Sequence, residues 1–104
     1  MAQVFSILAE PNRRHILEEL QDGELTVSDL VDRLQLSQPT VSKHLKVLRD
    51  VELVAVRVDA QRRCYRLRPE PLQELDIWLA RFRPFWSDRL DALEHHLDEG
   101  NDDG

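Results

Sequence analysis

Residues 26–50 hold two helical stretches with only Gln35, Leu36 and Ser37 between them, and this spacing constrains the chain more than any other feature. Thr26 is a capping residue with Asp29 three positions on, a variant of the capping box in which each residue satisfies the other's backbone donor. Val27, Leu30, Val31 and Leu34 then recur on one helical face. Ser37 is a second cap, and Val41, Leu45 and Leu48 mark the apolar face of a helix from about Gln38 to Asp50. Pro39 falls in its first turn, where a missing N–H costs nothing. Leu34, Leu36 and Val41 would fix the crossing of the two helices. The second helix then turns Ser37, Gln38, Thr40, Ser42, Lys43 and His44 outward. Such short polar or cationic side chains suit base edges and phosphates in a major groove. A helix N-terminus also favours an anion.

The flanking sequence supplies a core on one side and a basic ribbon on the other. Val4 to Ala9 reads as a short first helix. Pro11 opens a second, which carries Ile16, Leu17 and Leu20 on one face and ends at Asp22-Gly23. Val54, Val56 and Val58 alternate with Arg57, and Cys64 to Arg68 form a returning strand. Asp59 to Arg62 is the turn; because it lacks glycine, a loop longer than two residues is expected. Arg57, Arg62, Arg63, Arg66 and Arg68 lie on or beside this hairpin, and arginines at its tip can reach phosphates or a neighbouring groove. A long helix follows from about Leu72 to His96, with Pro84 set to kink or split it. The 104 residues make one domain, expected over 1–98, with an acidic disordered tail at 99–104. The fold class is mainly α with a small β-hairpin, a winged helix-turn-helix.

Charge is distributed in a way that matters more than its sum of −6. Residues 37–68 carry eight Lys/Arg against three Asp/Glu, whereas 1–36 and 69–104 are acidic, at −4 and −7. An acidic chain with a cationic middle third predicts one localised basic face. The start of the chain lacks a signal-peptide pattern and no stretch approaches ~20 apolar residues, so no membrane partner and a cytoplasmic location are expected. Cys64 is the one cysteine and excludes an intrachain disulfide.

Three segments together are specific: LAEPNRRHILEEL, then ELTVSDLVDRLQLSQPTVSKHLKVLRDVELV, then RRCYRL. In these the chain resembles the ArsR/SmtB family of winged-helix repressors, closely over residues 4–68 and in the last helix by position and length. The resemblance implies an α-α-α-α-β-β-α order, a homodimer built on the first and last helices, and repression by operator occupancy that an effector relieves. Two departures stand out. Glu52 occupies the place after the recognition helix where the family usually has glycine, implying a different or strained helix exit. The stretch ELTVSDL has Thr26 and Ser28 where metal-sensing members carry cysteines. The family's other metal site lies on the last helix. Here His95, His96, Asp98 and Glu99 face an upstream half made of Arg83, Pro84 and Phe85, which cannot ligate, so no metal and no cofactor is expected. Histidines there also suit a helix C-terminal dipole.

Val4, Phe5, Leu8, Leu75, Trp78, Phe82, Phe85 and Trp86 are more apolar surface than so short a chain easily buries. An isologous dimer would cover them. The same rings could line a pocket for a small apolar effector, or simply pack as core. Cys64, beside Arg63 and Arg66, reads either as a redox-sensitive thiol or as a buried structural residue. Enzyme chemistry is not expected: Gly23, Gly100 and Gly104 make no phosphate loop, and no Ser or Cys has an evident His and acid partner. The sequence therefore reads as a transcriptional regulator that binds a double-stranded DNA operator as a homodimer on an inverted repeat. The alternatives are a metal-responsive repressor with an unrecognised site and a protein-interaction module on the same fold.

Overall fold

The computed structural model describes residues 2–87 and 89–90. The expected tail at 99–104 and the histidine–carboxylate set at 95–99 lie outside the described residues. In order, the elements are α1 (Ala2–Leu8), α2 (Pro11–Glu19), a 3₁₀ turn (Leu20–Asp22), β1 (Leu25–Thr26), α3 (Val27–Leu34), α4 (Gln38–Asp50), β2 (Val54–Asp59), β3 (Arg62–Leu67) and α5 (Glu70–Ala80). The chain packs as two compact units divided between Gln73 and Glu74.

In the first unit Ile16 of α2, Leu30 of α3, and Val41, Leu45 and Leu48 of α4 are fully buried, joined by Leu53 just before β2. Local chemistry fixes where each helix begins and ends. Pro11 occupies the first turn of α2, and the Glu10 carboxylate accepts the Asn12 N–H at 3.0 Å. The Arg14 guanidinium donates to the Leu8 and Ala9 carbonyls at 2.7 and 3.2 Å, satisfying acceptors that α1 leaves open at its end. The expected capping box is present: Thr26 Oγ1 accepts from Asp29 N–H at 3.1 Å, and the Asp29 carboxylate accepts from Thr26 N–H at 2.9 Å. A cap of this kind contributes about 1 kcal/mol. Ser37 caps α4 through the Thr40 N–H at 3.3 Å.

The exit of α4 explains the departure at position 52. Leu53 N–H donates to the Leu48 carbonyl at 2.9 Å and Glu52 N–H to the Arg49 carbonyl at 3.0 Å. This pair of bonds is a Schellman motif, whose pivotal residue must be left-handed. Glu52 accordingly has φ 62°, so it occupies a glycine position without glycine's freedom. Leu48 and Leu53, the two ends of the motif, are both completely buried.

Two features depart from the sequence reading. The hairpin belongs to a three-stranded antiparallel sheet, ordered β1-β3-β2, because Leu25 and Thr26 pair with Tyr65 and Cys64. The wing turn is tight: Asp59 pairs with Arg62, leaving only Ala60 and Gln61 between the strands. Ala60 takes φ 57°, supplying without glycine the positive φ that a two-residue turn requires. The last helix is split as expected: it breaks after Ala80, and helical structure resumes at 83–87 and 89–90 with Pro84 in its first turn. Among the described residues no helix is long and apolar enough to cross a membrane.

Candidate nucleic-acid interface

The first turn of α3, one face of α4 and the tip of the wing enclose a cleft of about 740 Å³. From α4 come Gln38, Ser42, Lys46 and Arg49, which recur at helical spacing and form one stripe along the helix. Opposite them stand Gln61, Arg62 and Arg63. The walls thus carry four cations and one carboxylate, Asp29. That carboxylate is held below its ordinary pKa, first by the Thr26 backbone N–H and then by the Thr26 hydroxyl, with Arg33 and Arg62 adding attraction. Among the described residues Lys46, Arg49 and Arg63 have no acidic partner within ion-pairing distance. Arg62 approaches Asp59 only at 4.0 Å, and both side chains are mostly exposed, so the pair restrains it little. A concave surface with unpaired cations and short hydrogen-bonding side chains is built to take a polyanion.

The residues singled out from sequence separate into three groups. Gln38, Ser42, Arg62 and Arg63 are exposed and face the cleft. Ser37 caps α4, Thr40 and Lys43 lie on it, and all three stand outside the cleft walls. Ser37 and Thr40 already share a hydroxyl–hydroxyl hydrogen bond of 2.8 Å, and Lys43 is exposed. Arg57 and His44 are placed otherwise than expected. Arg57 is tied to Glu24 at 3.2 Å, and that hydrogen bond raises its pKa above the ordinary value. His44 is not turned outward: its side chain is only 13% exposed, with Nδ1 accepting from Arg13 Nε–H at 3.2 Å. Missed from sequence were Lys46, Arg49 and Gln61. The signal was present, since positions 38, 42, 46 and 49 continue one helical row into the second half of α4.

The residues expected at a dimer face or effector pocket fall on both units. In the first, Val4 and Leu8 are half-buried, Leu8 against the core, and Phe5 is 42% exposed. In the second, Trp78 and Phe82 approach to 4.9 Å between ring centroids and Phe82 stacks on Trp86 at 6.5 Å. Leu75 is half-buried, while Phe85 is 67% exposed, with the Arg89 guanidinium 4.9 Å above its ring. Cys64 is buried on β3. Among the described residues no group of three or more His, Cys, Asp or Glu is placed to hold a metal ion.

Comparison with known proteins assigns the fold to a family. Residues 10–56, which span α2 through the start of the wing, match the family described as "Bacterial regulatory protein, arsR family". A Mycobacterium tuberculosis protein, "HTH-type transcriptional regulator Rv2034", is 39% identical over 97% of this chain and 92% of its own length. The chain belongs to the arsR family. It is also 41% identical to the "Arsenical resistance operon repressor" of Staphylococcus xylosus, over 74% of this chain and 78% of that one. Among solved structures, the "ArsR-like Transcriptional Regulator from Rhodococcus sp. RHA1" superposes with a TM-score of 0.75 at 30% identity, covering 94% of this chain and 90% of that one. This arsR-family chain is therefore a winged helix-turn-helix, DNA-binding transcription regulator, and its family and relatives are regulators rather than enzymes.

Proposed function

We propose that this arsR-family protein represses transcription by binding an inverted-repeat operator as a homodimer, with the α4–wing cleft taking the duplex. The carrying observation is the cleft itself: Gln38 and Ser42 at the entrance of α4, with Lys46, Arg49, Arg62 and Arg63 around them. Gln38 and Ser42 read base edges in the major groove, and the four cations hold phosphates on either side. Arg57, committed to Glu24, braces the wing rather than touching DNA. Ile77, Phe82, Phe85 and Leu90 are exposed apolar side chains of the C-terminal unit and support self-association through that segment.

The test is titration of operator DNA, taken from the protein's own upstream region, at several salt concentrations. Lys46→Ala and Arg49→Ala should each weaken binding to all sequences alike and reduce the salt slope by about one. Gln38→Ala and Ser42→Ala should instead relax base preference, by ~1–3 kcal/mol at the position each reads. Binding that stays insensitive to salt and to all four changes would remove the cleft from the DNA interface.

A further inference from the structure

Among the described polar side chains in the N-terminal half of α4, His44 is the one that hydrogen-bonds to another helix. It meets the corner where α1 passes into α2. Arg13 donates Nε–H to His44 Nδ1 at 3.2 Å and reaches back through a terminal nitrogen to the Ile7 carbonyl of α1 at 3.5 Å. Glu10 Oε2 stands 3.7 Å from His44 Nε2, and the same oxygen accepts the Asn12 N–H that starts α2. One imidazole therefore joins the recognition helix to the end of α1 and the beginning of α2. Among the described residues no other carboxylate lies within ion-pairing distance of the ring.

We propose that His44 is a positioning residue that does not touch DNA: by accepting the Arg13 N–H it pins α4 to the α1–α2 corner, and protonation of the ring releases that pin and weakens DNA binding. This rests on the reading of α4 as the helix that enters the groove. With Arg13 as donor, Nδ1 carries no proton, and the neutral ring holds its proton on Nε2, facing Glu10. A second proton must go to Nδ1. The Arg13 N–H then points at another donor, and two cations meet at the distance of the former bond. The Glu10 carboxylate gains an ion pair in exchange, but it does so with the oxygen that caps α2. Protonation thus trades a link that reaches α1 for a pull on the first turn of α2. The sign separates this effect from simple electrostatics. An added positive charge near DNA tightens binding, so weakening in acid reports lost positioning.

The experiment compares operator affinity for the wild type, His44→Asn, His44→Leu and Arg13→Met across roughly pH 5 to 8, where imidazoles change charge. Asparagine offers an acceptor near the Nδ1 position and does not titrate. His44→Asn should match the wild type at the alkaline end and surpass it at the acid end, the ratio changing by about tenfold. His44→Leu and Arg13→Met should each bind about tenfold more weakly at the alkaline end, and the double variant no more weakly than either alone. Loss of discrimination at a single base pair in His44→Leu, with Arg13→Met unaffected, would make His44 a direct contact and overturn the proposal. Parallel pH profiles for wild type and His44→Asn would overturn it as well. Nitrogen NMR of the His44 ring in the DNA-free protein reads the same bond without an operator. The Nε2–H tautomer is expected, and an Nδ1–H tautomer refutes the link even if the operator reading itself has failed.

Discussion

The two units of this molecule treat apolar side chains in opposite ways. Up to Gln73, Ile16, Leu30, Leu45, Leu48 and Leu53 are withdrawn completely from solvent, the first four on capped helices and Leu53 in the turn that ends α4. Helix α5 buries no residue fully, and Ile77, Leu79, Phe82, Phe85 and Leu90 remain exposed. The two regions are similarly apolar in sequence, so the contrast does not come from composition. It comes from closure. The first unit folds α2, α3, α4 and the sheet around one centre. The aromatic segment is a row of rings, Trp78, Phe82 and Trp86, that runs across the break after Ala80 and leaves Phe82 and the neighbouring Phe85 exposed. A surface of that kind is suited to association, whereas the first unit is suited to holding a binding face rigid.

The sharpest way to break this contrast is to damage each region and read out stability. Leu45→Ala leaves a cavity in a site with no exposure and should cost about 3 kcal/mol in urea unfolding. Phe85→Asp, at a position 67% exposed, should leave the unfolding midpoint of the first unit unchanged. Its effect should appear in sedimentation instead, as self-association weakened by about 2 kcal/mol, the size of an interface hot spot. Equal losses of stability from both substitutions would mean that the aromatic row is core and that the contrast is false.

Legibility from sequence follows the same division. Both caps of the helix-turn-helix were readable because capping is chemistry within four residues: Thr26 with Asp29, and Ser37 with Thr40. Leu30 on α3 and the stripe Val41, Leu45, Leu48 on α4 were readable because burial on one face imposes helical spacing. Strand β1 was not, since two residues cannot display alternation. The tight wing turn was missed because Ala60 carries a φ that composition assigns to glycine, the neighbouring strand pairs holding it there. His44 was misplaced for a subtler reason. It stands three residues after Val41 and four before Leu48, at the edge of the apolar stripe, where a polar side chain faces inward if a partner waits for it. Arg13, distant in sequence, is that partner, and pattern alone could not supply it.

A smaller test concerns how much strain the first unit carries. Glu52 is left-handed at the end of α4, and its ion pair with Arg68, at 3.7 Å, joins a side chain that is 72% exposed to one that is 39% exposed. Such a pair contributes little. Glu52→Gly relieves the backbone and should therefore raise stability by about 1 kcal/mol in thermal unfolding. DNA affinity should stay unchanged, because Glu52 lies outside the cleft walls. The corresponding gain should follow at the wing from Ala60→Gly.

The smallest expected effect lies at the mouth of the cleft. The Asp29 carboxyl is depressed in the folded protein, chiefly by the Thr26 N–H. A carboxylate with a lowered folded value stabilises the fold fully above its unfolded value, about 3.9, and the contribution fades as pH falls through the folded value beneath it. Asp29→Asn keeps an oxygen for the Thr26 N–H but removes the charge at the start of α3. At neutral pH it should cost about 0.5 kcal/mol, the usual contribution of an exposed anion at a helix N-terminus. Once the pH has fallen below the lowered folded value, the variant and the wild type should unfold alike, since both are then uncharged at this site. The same substitution removes the only carboxylate from the cleft walls, so operator affinity at neutral pH should rise slightly while stability falls. Opposite signs in the two measurements are what a binding face carried by an independently stable unit requires. A fall in both would mean that the α3 cap also sets the shape of the cleft.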